Sequence, residues 1–163
     1  MSHHSLPFCD FAIKISAKAL LLNTLRSNGL VENPIKLGEH MRNRRLILGL
    51  TQEQAALQLG TIREVYERWE REERQPVVSV WPSIIRFLGY YPKECEPPAN
   101  LTLMTRRLTG LDQKQLAKKV GVMHQKLRTW EHEREQPNEG QLLRLKEIAE
   151  AATRISRRST PAQ

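Results

Sequence analysis

The chain has 163 residues, 27% of them charged and 39% hydrophobic, and a net charge of +8 at neutral pH. That length suits one ordinary domain or two small ones, and the basicity favours a polyanionic partner over a basic or neutral one. No apolar run approaches a membrane span, because Lys14 and Lys18 interrupt the most hydrophobic stretch, and Cys9 and Cys95 form no C-x-x-C pattern, the usage of a reducing cytosol.

In chain order, residues 1–36 form an N-terminal extension. Phe11 to Ser16 alternates like a short strand and Ala17 to Arg26 has helical composition, ending at Asn28-Gly29. A docking arm, a dimerisation element and a loose extension all fit it. A first domain spans 37–89. Leu37 to Leu48 reads as an amphipathic helix with Leu37, Met41, Arg45 and Leu48 on one stripe and Gly49 as its stop. Thr51 caps a second helix, with Gln54 in the capping-box position, that buries Ala55, Ala56 and Leu59 before Gly60. A third runs from Ile62 to Glu70 with Tyr66 and Trp69 inward, and a fourth from Trp81 to Leu88. The linker, 90–99, contains Pro92, Pro97 and Pro98, which bar a continuous helix. The second domain, 100–152, is predicted to hold helices from Leu101, from Asp112 to Val120, from Met123 to Glu131 and from Gln141 to Ala151. Residues 153–163, with Arg154, Arg157 and Arg158, read as a basic mobile tail.

These two domains are copies of one another. Gly49 to Pro76 recurs without a gap 61 residues later as Gly110 to Pro137, with 11 identities in 28 positions. The matches include Gln52/Gln113, Ala56/Ala117, Gly60/Gly121, Trp69/Trp130, Glu70/Glu131 and Pro76/Pro137, and Arg45/Arg106 adds one just upstream. A repeat of this kind dictates the architecture. Charge is distributed unequally over it: residues 37–96 are net neutral, whereas 97–163 carry +6.

A helix, a glycine turn and a second helix make a helix-turn-helix. Leu50-Thr51-Gln52-Glu53-Gln54-Ala55-Ala56, Leu59-Gly60 and Trp69-Glu70 resemble the Cro/CI-type (xenobiotic-response-element) repressors, which have a lambda-repressor-like fold. Leu111-Asp112-Gln113 through Gly121 and Trp130-Glu131 resemble it again. The resemblance covers residues 37–152 and implies an all-α chain of two tandem helix-turn-helix bundles. It implies structural ion pairs for Arg45 with Glu70 and Arg106 with Glu131. It makes Arg63, Glu64 and Arg68, and likewise His124, Gln125 and Thr129, base-reading positions, with Arg128 on the same exposed face. Gln52 and Gln113 would lead the second helix of each module and touch backbone or base. Arg42, Arg44, Arg71, Arg74 and Arg107 are candidates for phosphate contacts.

Three departures stand against the family pattern. Ile62 and Met123 occupy cap positions where a Ser or Thr is usual, Glu72 and Glu133 replace a loop glycine, and the first module has no net charge. The expected function is sequence-specific binding of double-stranded DNA by a cytoplasmic, nucleoid-associated bacterial regulator, a repressor acting by operator occupancy. The alternative is a protein-interaction module, antitoxin-like or co-regulatory, or a homodimerising one. The carboxylates Glu64, Glu67, Glu72 and Glu73 around the third helix favour that alternative. No nucleophile motif, glycine-rich phosphate loop or cofactor signature suggests an enzyme, and the spacing of His3, His4 and Cys9 fits no metal-ligand pattern.

Overall fold

The structure, a computed structural model, describes residues 29–92 and 100–158, with side chains as far as 154. The strand expected at 11–16, the helix at 17–26, His3, His4, both cysteines and residues 159–163 lie outside the described residues. Among the described residues all regular structure is helical, and Ile35–Gln163 gathers into one compact unit.

Helix α1 (Leu37–Ile47) begins where the Glu39 carboxylate accepts the backbone N–H groups of Ile35 and Lys36 at 2.9 and 3.0 Å. These two hydrogen bonds hold the Glu39 carboxyl below the usual carboxylate range. Helix α2 (Gln52–Gln58) is capped by Thr51, whose hydroxyl accepts from the Gln54 N–H while the Gln54 side chain accepts from the Thr51 N–H. Gly60 then takes a left-handed φ of 67° and the chain enters α3 (Arg63–Glu70). A 3-10 turn (Val78–Val80) leads into α4 (Trp81–Leu88). Met41, Ala55, Ala56, Tyr66, Trp69 and Ile84 are buried together, and the Tyr66 hydroxyl donates to the Met41 carbonyl at 3.3 Å. Ala56 has to be small because α2 and α3 meet there.

The second module repeats this with α5 (Leu101–Thr109), α6 (Gln113–Val120), α7 (His124–Glu131) and α8 (Glu139–Arg158). Asp112 and Gln115 form the same reciprocal cap on α6 that Thr51 and Gln54 form on α2. Leu116, Ala117, Val120, Leu127, Trp130 and Leu145 make its core. Helix α8 continues to Arg158, so residues 153–158 extend the last helix where a mobile tail was expected from 153. No proline or glycine stops it after Ala151, and Thr153 folds its hydroxyl back to the Ala149 carbonyl at 2.9 Å.

The modules pack against each other. Leu108 of α5 lies on the first module's core, the Arg107 guanidinium sits 3.9 Å above the Trp81 ring, and Tyr91 packs on the same indole with Pro92 buried beyond it. At Gly110 a Cβ would come within 3.0 Å of Pro82 Cγ, so the backbone of one module touches the proline of the other. The entry to the predicted linker is therefore pinned to the core instead of spanning a gap.

Candidate nucleic-acid interface

Each module holds its α2/α3-type pair in place with a three-residue hub. Arg45 donates from Nε and Nη2 to the two oxygens of Glu70 at 2.7 and 3.2 Å, and from Nη1 to the Leu50 carbonyl at 3.2 Å. The Gln52 amide nitrogen donates to the same carboxylate at 3.0 Å. In the second copy Arg106 donates to Glu131 at 2.7 Å and to the Leu111 carbonyl at 3.2 Å, and Gln113 donates to Glu131 at 2.6 Å. Side-chain exposure is only 13% and 5% for the first pair and 12% and 9% for the second. Burial by itself would raise the Glu70 carboxyl; the hydrogen bonds from Arg45 and Gln52 outweigh it and hold the group below its ordinary value. The same bond to Glu70 raises Arg45. Burial pushes the Tyr66 hydroxyl well up, so it stays a neutral donor.

The hub changes how the glutamines are read. Gln52 and Gln113 are half-buried, and their amide nitrogens are committed to a carboxylate that can only accept. Their place at the head of α2 and α6 is as expected, but each also bolts that helix to the end of the next one. One amide N–H and the amide oxygen of each remain for an outside partner. The sequence carried a signal for this in the shared spacing, since Gln, Arg and Glu recur together in both copies.

Arg63, Glu64 and Arg68 on α3, and His124, Gln125 and Arg128 on α7, are all exposed. None of these six side chains makes a hydrogen bond or ion pair with another described residue, so each face is an array of unengaged donors and acceptors. Thr129 differs from the rest. It is half-buried and its hydroxyl donates to the Lys126 carbonyl at 2.7 Å, with the Glu135 carboxylate at 3.4 Å. Ile62 and Met123 stand at the N-caps of α3 and α7 without a side-chain cap bond and are 63% and 75% exposed. Large apolar side chains are thus displayed at the same place in both copies.

The basic residues divide into those the fold uses and those it leaves free. Arg44 donates to the Phe87 carbonyl at 2.9 Å, Arg71 pairs with Glu67 at 2.5 Å, and Arg107 lies on Trp81. These three, read from sequence as phosphate contacts, have structural positions. Arg42 and Arg74 stay exposed with no side-chain partner among the described residues.

Glu72 also differs from expectation. Its φ of 60° lies in the left-handed region that glycine favours, but its carboxylate turns inward and accepts the N–H of Gly38 in the first turn of α1. The negative charge there faces the positive end of a helix instead of an outside phosphate. Gly38 is required at this contact, because a Cβ would lie 2.5 Å from the Trp69 carbonyl oxygen and 2.6 Å from that of Glu70. A glycine inside a helix's first turn is costly unless another backbone approaches it, and that was the overlooked clue. The second module does without this device: Asn100 caps α5 by accepting from the Leu103 N–H and donates to the Glu131 carbonyl at 2.7 Å. Glu133, at φ 56°, is left exposed.

No cluster of potential metal ligands occurs among the described residues, and no helix among them is long and apolar enough to cross a membrane. The chain matches no family model, no curated protein and no solved structure.

Proposed function

We propose that the chain is a sequence-specific double-stranded DNA-binding regulator made of two tandem helix-turn-helix modules, and that it represses transcription by occupying its operator. The observation that carries this is the pair of unengaged polar faces on α3 and α7, each following a capped helix and a left-handed glycine. A helix of this kind enters the major groove with its N-terminal residues against the base edges. Arg63 and Arg68 supply the fork that grips guanine, Gln125 the amide that pairs with adenine, and Glu64 an acceptor for cytosine. Ile62 and Met123 add apolar contacts suited to thymine methyl groups. Arg42, Arg74 and the +6 charge of residues 97–163 draw the duplex in.

The rival reading, a protein-docking first module, rests on four carboxylates around α3. Three of them have partners within the fold, Glu67 and Glu73 in Arg71 and Glu72 in Gly38, which leaves only Glu64 for that argument.

A gel-shift titration with duplex DNA in rising salt tests the proposal. Affinity should fall steeply with salt as counterions are released. Arg68→Ala and Gln125→Ala should leave the melting temperature unchanged and cost about 1–3 kcal/mol at particular base pairs. Binding that ignores salt, or variants that melt early, would refute the assignment of these faces.

A further inference from the structure

The junction between the modules does more than join them. A groove of about 380 Å³ opens there, at the lower end of the range found for small-molecule sites. Pro82 and Ile85 of α4 form one side, Leu108 of α5 and Leu111 the floor between the modules, and Ile148 and Ala152 of α8 the other side. Contributions from four separate helices, α6 among them, make it a feature of the assembled unit, present in neither module alone. Two charged side chains join this lining, Arg86 of α4 and Lys119 of α6. Both are cationic, both are exposed, and neither forms an ion pair among the described residues. No carboxylate lines the groove.

That combination selects its occupant. Apolar walls reward a hydrocarbon or aromatic body, while two unpaired cations with no competing acid reward one anionic head and repel a cationic one. We propose that the groove is a binding site for a small amphipathic carboxylate, with Arg86 and Lys119 holding the carboxylate and the aliphatic side chains of α4, α5 and α8 enclosing the body. The site follows from the junction geometry and stands apart from the DNA reading, so its test needs no DNA.

The test is calorimetric titration of the full chain with octanoate, and in parallel with octyltrimethylammonium, which has the same tail and the opposite charge. Octanoate should bind saturably with one site per chain and the cation should not. Lys119→Glu, an exposed substitution on α6, should weaken octanoate about tenfold or more and admit the cation. Ala152→Trp, which fills the groove from α8, should abolish octanoate binding. Failure of octanoate to bind, equal binding of both amphiphiles, or binding indifferent to Lys119→Glu would each overturn the proposal. A chain that sediments as a dimer and is split to monomers by Ala152→Trp would make a second copy the occupant, and would overturn it too.

Discussion

Replacing Glu70 with glutamine removes one charge from the hub and leaves its shape almost unchanged. In the folded chain Glu70 accepts three hydrogen bonds, two from Arg45 and one from Gln52, with its side chain 5% exposed. The Glu70→Gln substitution turns one acceptor into a donor that faces other donors, and it strands the Arg45 cation. Breaking a buried pair from one side costs about 3–5 kcal/mol. Arg45 keeps 13% of its side chain in water, which places the expected loss near the lower figure, about 3 kcal/mol. Domain-sized units have only about 5–15 kcal/mol in all, so the loss is large. Urea unfolding of wild type and variant near neutral pH measures it. The pH dependence adds a second signature. The folded-state pKa of Glu70 is depressed, so its contribution is fully present above the unfolded value, about 4.3, and is lost as pH falls through the folded value. The gap between wild type and variant should therefore be constant near neutrality and shrink in acid below that point. A neutral-pH gap under about 1 kcal/mol, or a gap that persists undiminished in strong acid, would show that the charge is not held as described.

Two further predictions concern local structure. Met123→Ser or Ile62→Ser supplies the missing acceptor at the head of α7 or α3 and should stabilise the chain by roughly 0.5–2 kcal/mol by urea unfolding, while relaxing base preference at the contacted step; an unchanged stability would mean those caps are already satisfied. Gly49→Ala and Gly110→Ala both place a side chain at positive φ, 65° and 72°, but only the second meets a neighbour, Pro82. The first should cost about 1–2 kcal/mol for backbone strain alone, and the second more, with loss of the Arg107–Trp81 contact seen in Trp fluorescence; equal costs would contradict the packed junction.

How much of this was legible in the residues depended on how local the cause was. The helices were, because Thr51 with Gln54, the glycine stops and the inward Tyr66 and Trp69 are signals within a turn or two of chain. The Arg45–Glu70 and Arg106–Glu131 pairs were expected through the family resemblance, and the structure forms both. Contacts made across the tertiary structure were not. The inward turn of Glu72 depends on Gly38, 34 residues away, and the capture of Arg107 by Trp81 depends on how two modules meet. The bond from Arg44 to the Phe87 carbonyl, 43 residues away, was hidden for the same reason. The helical run to Arg158 was hidden by basic composition, which a solvated helix and a tail share.

Selection of bound sites from random duplexes by the full-length chain, with the number of chains per duplex measured on the winners, tests the central claim most directly. The two faces proposed to read DNA differ, Arg63, Glu64 and Arg68 against His124, Gln125 and Arg128, and the junction holds them in one relation. The selected site should be asymmetric, with two unlike halves at one fixed spacing and one chain per duplex. A palindromic consensus occupied by two chains, or a pool in which no sequence is enriched, would contradict it.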